Sequence, residues 1–225
     1  MSLDGVVVSK PWGYEYLCYR NSAVAIWFLH ITCGQRTSLH CHPNKHTGFV
    51  VLQGSVRIRF LRGGSELTGL DKIHIFRARF HSTEALSKSG AYILEIETPE
   101  DKHDLVRLDD SYGRAGTAYE GKEHHRPKSE REFWLPDPDS SPNRVDQMHG
   151  CRVQHKLVNC ASELCGLGER DIVVVTEGGL SAGAQSQILW PGDVVDGISL
   201  DRLSKAFEII DRTTVLLISP TGEEM

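Results

Sequence analysis

The chain has 225 residues, with 25 Lys and Arg against 30 Asp and Glu, a formal charge of −5, and 40% hydrophobic residues. This composition can bury a sizeable core, and its acidic balance argues against the basic surface of a nucleic-acid binder. No apolar run approaches the roughly 18 residues of a membrane span, and the start, MSLDGVVVSK, lacks the pattern of a secretory signal. The six cysteines include no CxxC pair. They read as reduced thiols of a cytoplasmic protein.

From Val6 to about Pro99 short β-type runs follow one another: AVAIWFLHI, TGFVVLQG, SVRIRFL, DKIHIF and AYILEIE. The turns CGQ, QGS, RGGSE and SKSG separate them, with no helical periodicity between. Such spacing predicts an all-β barrel or sandwich. In SVRIRF, Val56, Ile58 and Phe60 alternate with Arg57 and Arg59, which predicts one buried and one solvated face.

Residues 121–150 are polar, charged and proline-bearing, and read as an irregular linker. A second β-rich block, 151–225, follows with CRVQHKLVNC, RDIVVVTEGGLS, SQILWPGDVVDG, AFEIID and TTVLLIS. SLDRLSKAF is predicted as a short helical turn capped by Ser199. Trp190, Pro191, Gly192 and Val194 are expected to serve this block's turn and core. Three segments result: 1–120, 121–150 and 151–225.

The densest chemistry lies in TSLHCHPNKHTGFVVLQG. His40 and His42 are two apart, so on a strand both face one side and Cys41 the other, as a barrel presents two imidazoles to one ion. Gly34, five residues, His40-x-His42, four residues, Thr47, six residues and Gly54 reproduce the spacing of the first cupin motif, with Thr47 at its Glu. His81, in IFRARFHSTEA, falls where the second motif supplies its His, although Phe76 and Ala78 replace that motif's Pro and Gly. The resemblance implies a cupin fold, a double-stranded β-helix or jelly-roll-like barrel. DIVVVTEGGLS and the WPGD turn of the second block resemble an eroded copy, which makes the chain a bicupin with a degenerate, metal-free second half. Extra strands extending one barrel are the alternative.

Residues 10–114 also resemble the cupin domain of type II mannose-6-phosphate isomerases, which often occur fused to mannose-1-phosphate guanylyltransferases. The likeness rests on KPWGYEYL, on the histidine segment and on LEIETPEDKHDLVRLDDSYGR. Carried over by position, it puts His40 at the family's Gln, His42 and His81 at its His, and Thr47 at its Glu. It implies a divalent metal ion (Zn, Fe, Mn or Ni) on His40, His42 and His81, with His46 a candidate fourth ligand against its place in an exposed turn. Such a site would lose metal as pH falls through about 6.5. Glu95 is the candidate catalytic base. Lys45, Arg77 and Arg79 are candidates for a substrate phosphate. Arg107 and Arg114 are expected to clasp Asp109 and Asp110. The implied function is isomerase- or epimerase-like action on a sugar phosphate or nucleotide-sugar precursor. Two alternatives stand beside it: a non-catalytic sugar-binding or regulatory cupin, and an Fe(II)-dependent dioxygenase. The expected partners are a small sugar and a second copy of the chain, with neither nucleic acid nor membrane.

Overall fold

The computed structural model describes residues 3–114, 120–142, 144–183 and 186–222. The chain divides between Trp134 and Leu135 into two compact units. The predicted linker is therefore shared: residues 121–134 belong to the first unit and 135–150 to the second.

The first unit contains β1 (Val6–Lys10), β2 (Gly13–Arg20), β3 (Ala25–Ile31), β4 (Leu39–Cys41), β5 (His46–Gln53) and β6 (Ser55–Phe60). It continues with β7 (Gly64–Thr68), β8 (Lys72–Ile75), β9 (His81–Ala85), β10 (Ala91–Thr98), β11 (Val106–Asp109) and β12 (His125–Pro127). One sheet runs β12-β1-β2-β3-β10-β5-β8 and the other β11-β4-β9-β6-β7. From β3 to β10 the chain changes sheet at every connection except the β6–β7 hairpin. The resulting fours, β3-β10-β5-β8 and β4-β9-β6-β7, are the order of a jelly roll built from two Greek keys.

Alternation sorts the side chains. Trp27, Leu29 and Ile31 of β3, Phe49 and Val51 of β5, Val56 and Ile58 of β6 and Ile93 of β10 share one buried cluster. Each such burial is worth roughly 1.5–3 kcal/mol. Val56 and Ile58 are buried while Arg57 and Arg59 stay partly in solvent, as the alternation predicts. β9, HSTEA, gives no apolar pattern yet is central, lying between β4 and β6. Hydrogen bonds stabilise it instead: Ser82 Oγ donates to the Thr37 carbonyl at 2.9 Å, and the Thr83 amide to Thr37 Oγ1 at 3.0 Å.

The second unit holds β13 (Asp146–Met148), β14 (Cys151–Val158), β15 (Ile172–Glu177), β16 (Leu180–Ser181), β17 (Gln187–Leu189) and β18 (Val194–Asp196). Helix α1 (Gly197–Ala206), β19 (Glu208–Ile209) and β20 (Thr213–Pro220) complete it. Its sheets run β13-β14-β20-β15-β18 and β17-β16-β19. β14-β20-β15-β18 repeats the chain order of β3-β10-β5-β8, and β19-β16-β17 that of β9-β6-β7. Between β14 and β15, where β4 would stand, the described residues form a 3₁₀ turn, Ala161–Leu164. The helix begins earlier than predicted, because Asp196 is its cap and accepts from the Ser199 amide at 2.7 Å. Trp190 is 57% exposed, contrary to its expected core role, while Leu189 beside it is buried. The turn explains this: the Trp190 amide is held by Asp193 Oδ2 at 2.8 Å, and the core position has passed to the preceding residue.

All six cysteines are free. Among the described residues, no helix is long and apolar enough to cross a membrane.

Candidate metal and acid–base site

His40 and His81 face each other directly across the β4–β9 ladder, and His42 follows at the end of β4. Ring centroids lie 4.4 Å apart for His40 and His81, 4.9 Å for His40 and His42, and 5.6 Å for His42 and His81. Each Nδ1 meets a backbone carbonyl: Ser38 at 2.8 Å for His40, Asp104 at 2.6 Å for His42, and Arg79 at 3.0 Å for His81. A carbonyl can only accept, so each Nδ1 carries the proton and leaves Nε2 with its lone pair. The Nε2 atoms of His42 and His81 are buried with no hydrogen-bond partner. Each orphaned atom costs about 1–3 kcal/mol, which a ligand would offset.

Burial is the first cause holding His42 and His81 at about 4, aided by Lys45 at His42; burial and the two neighbouring rings hold His40 well below 6.5. The imidazoles are thus neutral at physiological pH. Acid release of a bound metal, expected near 6.5, would accordingly move to lower pH. One donor nitrogen from each of the three residues lies within 4.8 Å of the others. Three neutral, lone-pair-bearing imidazoles suit a divalent transition ion.

Two carboxylates face the same cavity. In the ladders of β10, Glu95 is flanked by Phe49 and Trp27, and Glu97 by Thr47 and Ala25. Burial pushes Glu95 up to about 7. Burial also works to raise Glu97, but Lys102 and Lys45 outweigh it and hold that carboxylate below its usual range. Lys45 Nζ donates to Glu97 Oε1 at 2.9 Å and Lys102 Nζ to the same oxygen at 3.2 Å. Lys10 pairs with Glu15 at 3.3 Å and with Glu120, and Arg107 lies 3.7 Å from Glu120. Lys102 also stands 3.7 Å above the Trp27 ring. The cavity has a volume of about 70 Å³, and its apolar lining is Trp12, Leu29, Phe49 and Leu105.

The structure brings His40, His42, His81, Glu95 and Lys45 together and leaves the other candidates outside. His46 points away from the cavity: its Nε2 accepts from Arg77 Nε at 2.9 Å, and its ring lies 5.5 Å from His74. Strand parity explains this, since Thr47 shares the inward face of Phe49 and its neighbour cannot. Arg77 and Arg79 are exposed, with Arg79 stacked on Phe60 at 3.8 Å. The cavity's cations are Lys10, Lys45, Lys102 and Arg107 instead. Arg114 clasps Asp110 at 2.7 Å as expected, whereas Arg107 turns to Glu120. Sequence reasoning missed Lys10, Glu15, Glu97, Lys102 and Asp104. Glu97 carried a signal, its two-residue step from Glu95. Asp104, whose carboxylate receives the Asn44 and Lys45 amides at 2.9 Å each, sits in a loop with no periodicity to betray it.

No family model matches the sequence, and no curated protein does. Solved structures resemble part of it. KdgF from Halomonas sp. shares 14% identity over 44% of this chain and 83% of its own, with a TM-score of 0.37. The cupin domain of Cnp3 from Schizosaccharomyces pombe shares 10% over 39% of this chain and 64% of its own, with a TM-score of 0.37. The capsular polysaccharide assembling protein CapF from Staphylococcus aureus shares 16% over 46% of this chain and 34% of its own, with a TM-score of 0.42. Likeness of this degree assigns no role to any residue. The jelly roll rests on the strand order itself.

Proposed function

We propose that the first unit is a metal-dependent cupin that moves a proton on a small carbohydrate of the sugar-phosphate or nucleotide-sugar class, as an isomerase or epimerase. The reading is carried by one juxtaposition: His40 and His42, with a donor nitrogen of His81 within 4.8 Å of theirs, line the same cavity as Glu95, a carboxyl raised to about 7. His40, His42 and His81 would hold a divalent ion, which supplies polarisation of a bound carbonyl or hydroxyl oxygen. Glu95 takes a proton from one carbon and returns it to its neighbour. A group titrating near neutrality serves both directions. Phe49, Leu29 and Trp12 form apolar wall around it, and Lys10 and Arg107 lie within reach of an anionic substituent.

The test is solvent exchange. Metal-loaded protein incubated in D₂O with a panel of aldose and ketose phosphates should place deuterium at the carbon beside the carbonyl. Glu95→Gln should stop this while retaining its metal. Absence of exchange across the panel in metal-loaded protein ends the isomerase reading.

The charge balance supports a second reading, a carbohydrate-binding cupin without turnover. Lys10, Lys45, Lys102 and Arg107 each already face a carboxylate. Ligand-induced thermal stabilisation without deuterium exchange would select it. The second unit we read as a degenerate jelly roll that lacks the counterpart of β4. That strand and the residue after it carry the paired histidines in the first unit, and on this reading the second half would bind no metal.

A further inference from the structure

Glu97 stands directly across the β5–β10 ladder from Thr47, where the cupin motif carries its carboxylate. Its side chain is 1% exposed. Lys45 and Lys102 both engage Oε1, while Oε2 is buried with no hydrogen-bond partner, as is Nε2 of His42. Ligand atoms of His42, Glu95 and Glu97 lie within 4.8 Å of one another, and those of His40, His42 and His81 form a separate set of the same size. The two sets share His42. Its Nδ1 is committed to the Asp104 carbonyl, so only Nε2 remains for either set. The two sets therefore meet at a single nitrogen, His42 Nε2, with imidazoles on one side of it and carboxylates on the other.

We propose that Glu97, through Oε2, supplies the anionic fourth donor of the three-histidine centre, so that the carboxylate missing from β5 comes from the facing position on β10. The inference rests on the metal-binding reading above and adds a ligand to it. Lys45 and Lys102 fix the carboxylate by one oxygen and offer the other singly, the task of outer partners in metal sites. The small Thr47 side chain leaves the facing position clear. Glu95, two residues back on the same face, remains for proton transfer.

Cobalt(II) added to metal-stripped protein is the probe, read by its dissociation constant and by its d–d absorption. The wild type should bind one ion. Glu97→Gln should weaken binding by about tenfold or more and shift the absorption bands. Thr47→Glu combined with Glu97→Gln should recover most of the affinity, because a carboxylate then returns from β5. Wild-type affinity and spectrum in Glu97→Gln, or a loss that the double variant does not recover, overturns the assignment. The second result would trace the loss to Lys45 and Lys102 left without their counter-charge. If Glu97→Gln does not fold, Glu97→Asp keeps the charge while withdrawing the oxygen, and takes its place with the same outcomes. His42→Ala separates the two readings. If the wild type and His42→Ala bind cobalt alike, the three-histidine centre itself fails. If His42→Ala abolishes binding and Glu97→Gln does not, only the role of Glu97 fails.

Discussion

At the scale of single residues, the cavity sets two opposing pH dependences against each other. His42 and His81 are depressed from 6.5 to about 4, so their contribution to stability is present above 6.5 and is lost as pH falls through 4. Glu95 is raised from 4.5 to about 7, so its contribution is present below 4.5 and is lost as pH rises through 7. The loss from Glu95 is on the order of 3 kcal/mol once it is ionised. Glu95→Gln removes that loss and leaves the histidine dependence in place. In metal-free protein the variant should therefore melt higher than wild type at pH 8, with the difference closing at pH 5. Thermal unfolding across pH 5–8 checks this, and equal melting temperatures at pH 8 would mean that Glu95 is solvated. None of this was visible in the sequence, where nothing along AYILEIE separates a buried Glu95 from a solvated one. Burial between Phe49 and Trp27 decides it.

At the scale of elements, legibility followed apolar alternation. β3, β5, β6, β8 and β10 could be read because most of their inward positions are Val, Ile, Leu, Phe or Trp. β9 could not, since its buried Ser82 and Thr83 are stabilised by hydrogen bonds to Thr37. Of the site, the residues on strands with a two-residue step were legible: His40, His42 and Glu95. Of its cations, Lys10 and Lys102 were not, because they arrive from opposite ends of the unit and meet at the carboxylate of Glu15. Parity on β5 was sufficient to turn His46 outward. The closing glycine of the histidine segment was readable from its spacing, and the structure supplies the reason. Gly54 has φ +88°, and a Cβ there would lie 2.5 Å from the Gly90 carbonyl oxygen and 2.6 Å from Ser87 Oγ. Backbone strain of this kind costs of order 1–3 kcal/mol before the steric clash is added. Gly54→Ala should destabilise the first unit by at least that amount in denaturant unfolding. A variant that unfolds at the wild-type midpoint would show that the β5–β6 turn relaxes freely.

At the scale of the molecule, the two units divide packing from chemistry. The donor atoms gathered above belong to the first unit, while the second is organised around Val173, Val175, Leu180, Leu189, Leu200 and Val215. Leu200 on α1 is buried at 1% exposure, whereas Trp190 stands in solvent. Leu200→Ala should therefore destabilise by roughly 2–5 kcal/mol, the cost of a lost aliphatic side chain and the cavity it leaves. Trp190→Ala should change stability by no more than about 0.5 kcal/mol, the range for surface positions free of special contacts. Both variants should keep metal content per folded molecule at the wild-type level. His42→Ala should do the opposite for the metal, removing it, while its effect on unfolding is the loss of the Nδ1 bond to the Asp104 carbonyl partly offset by relief of the orphaned Nε2. Chemical unfolding and metal stoichiometry on the three variants form the test. A Leu200→Ala protein that folds but loses its metal would make the second unit part of the site, and the division of labour drawn from the strand orders would be wrong.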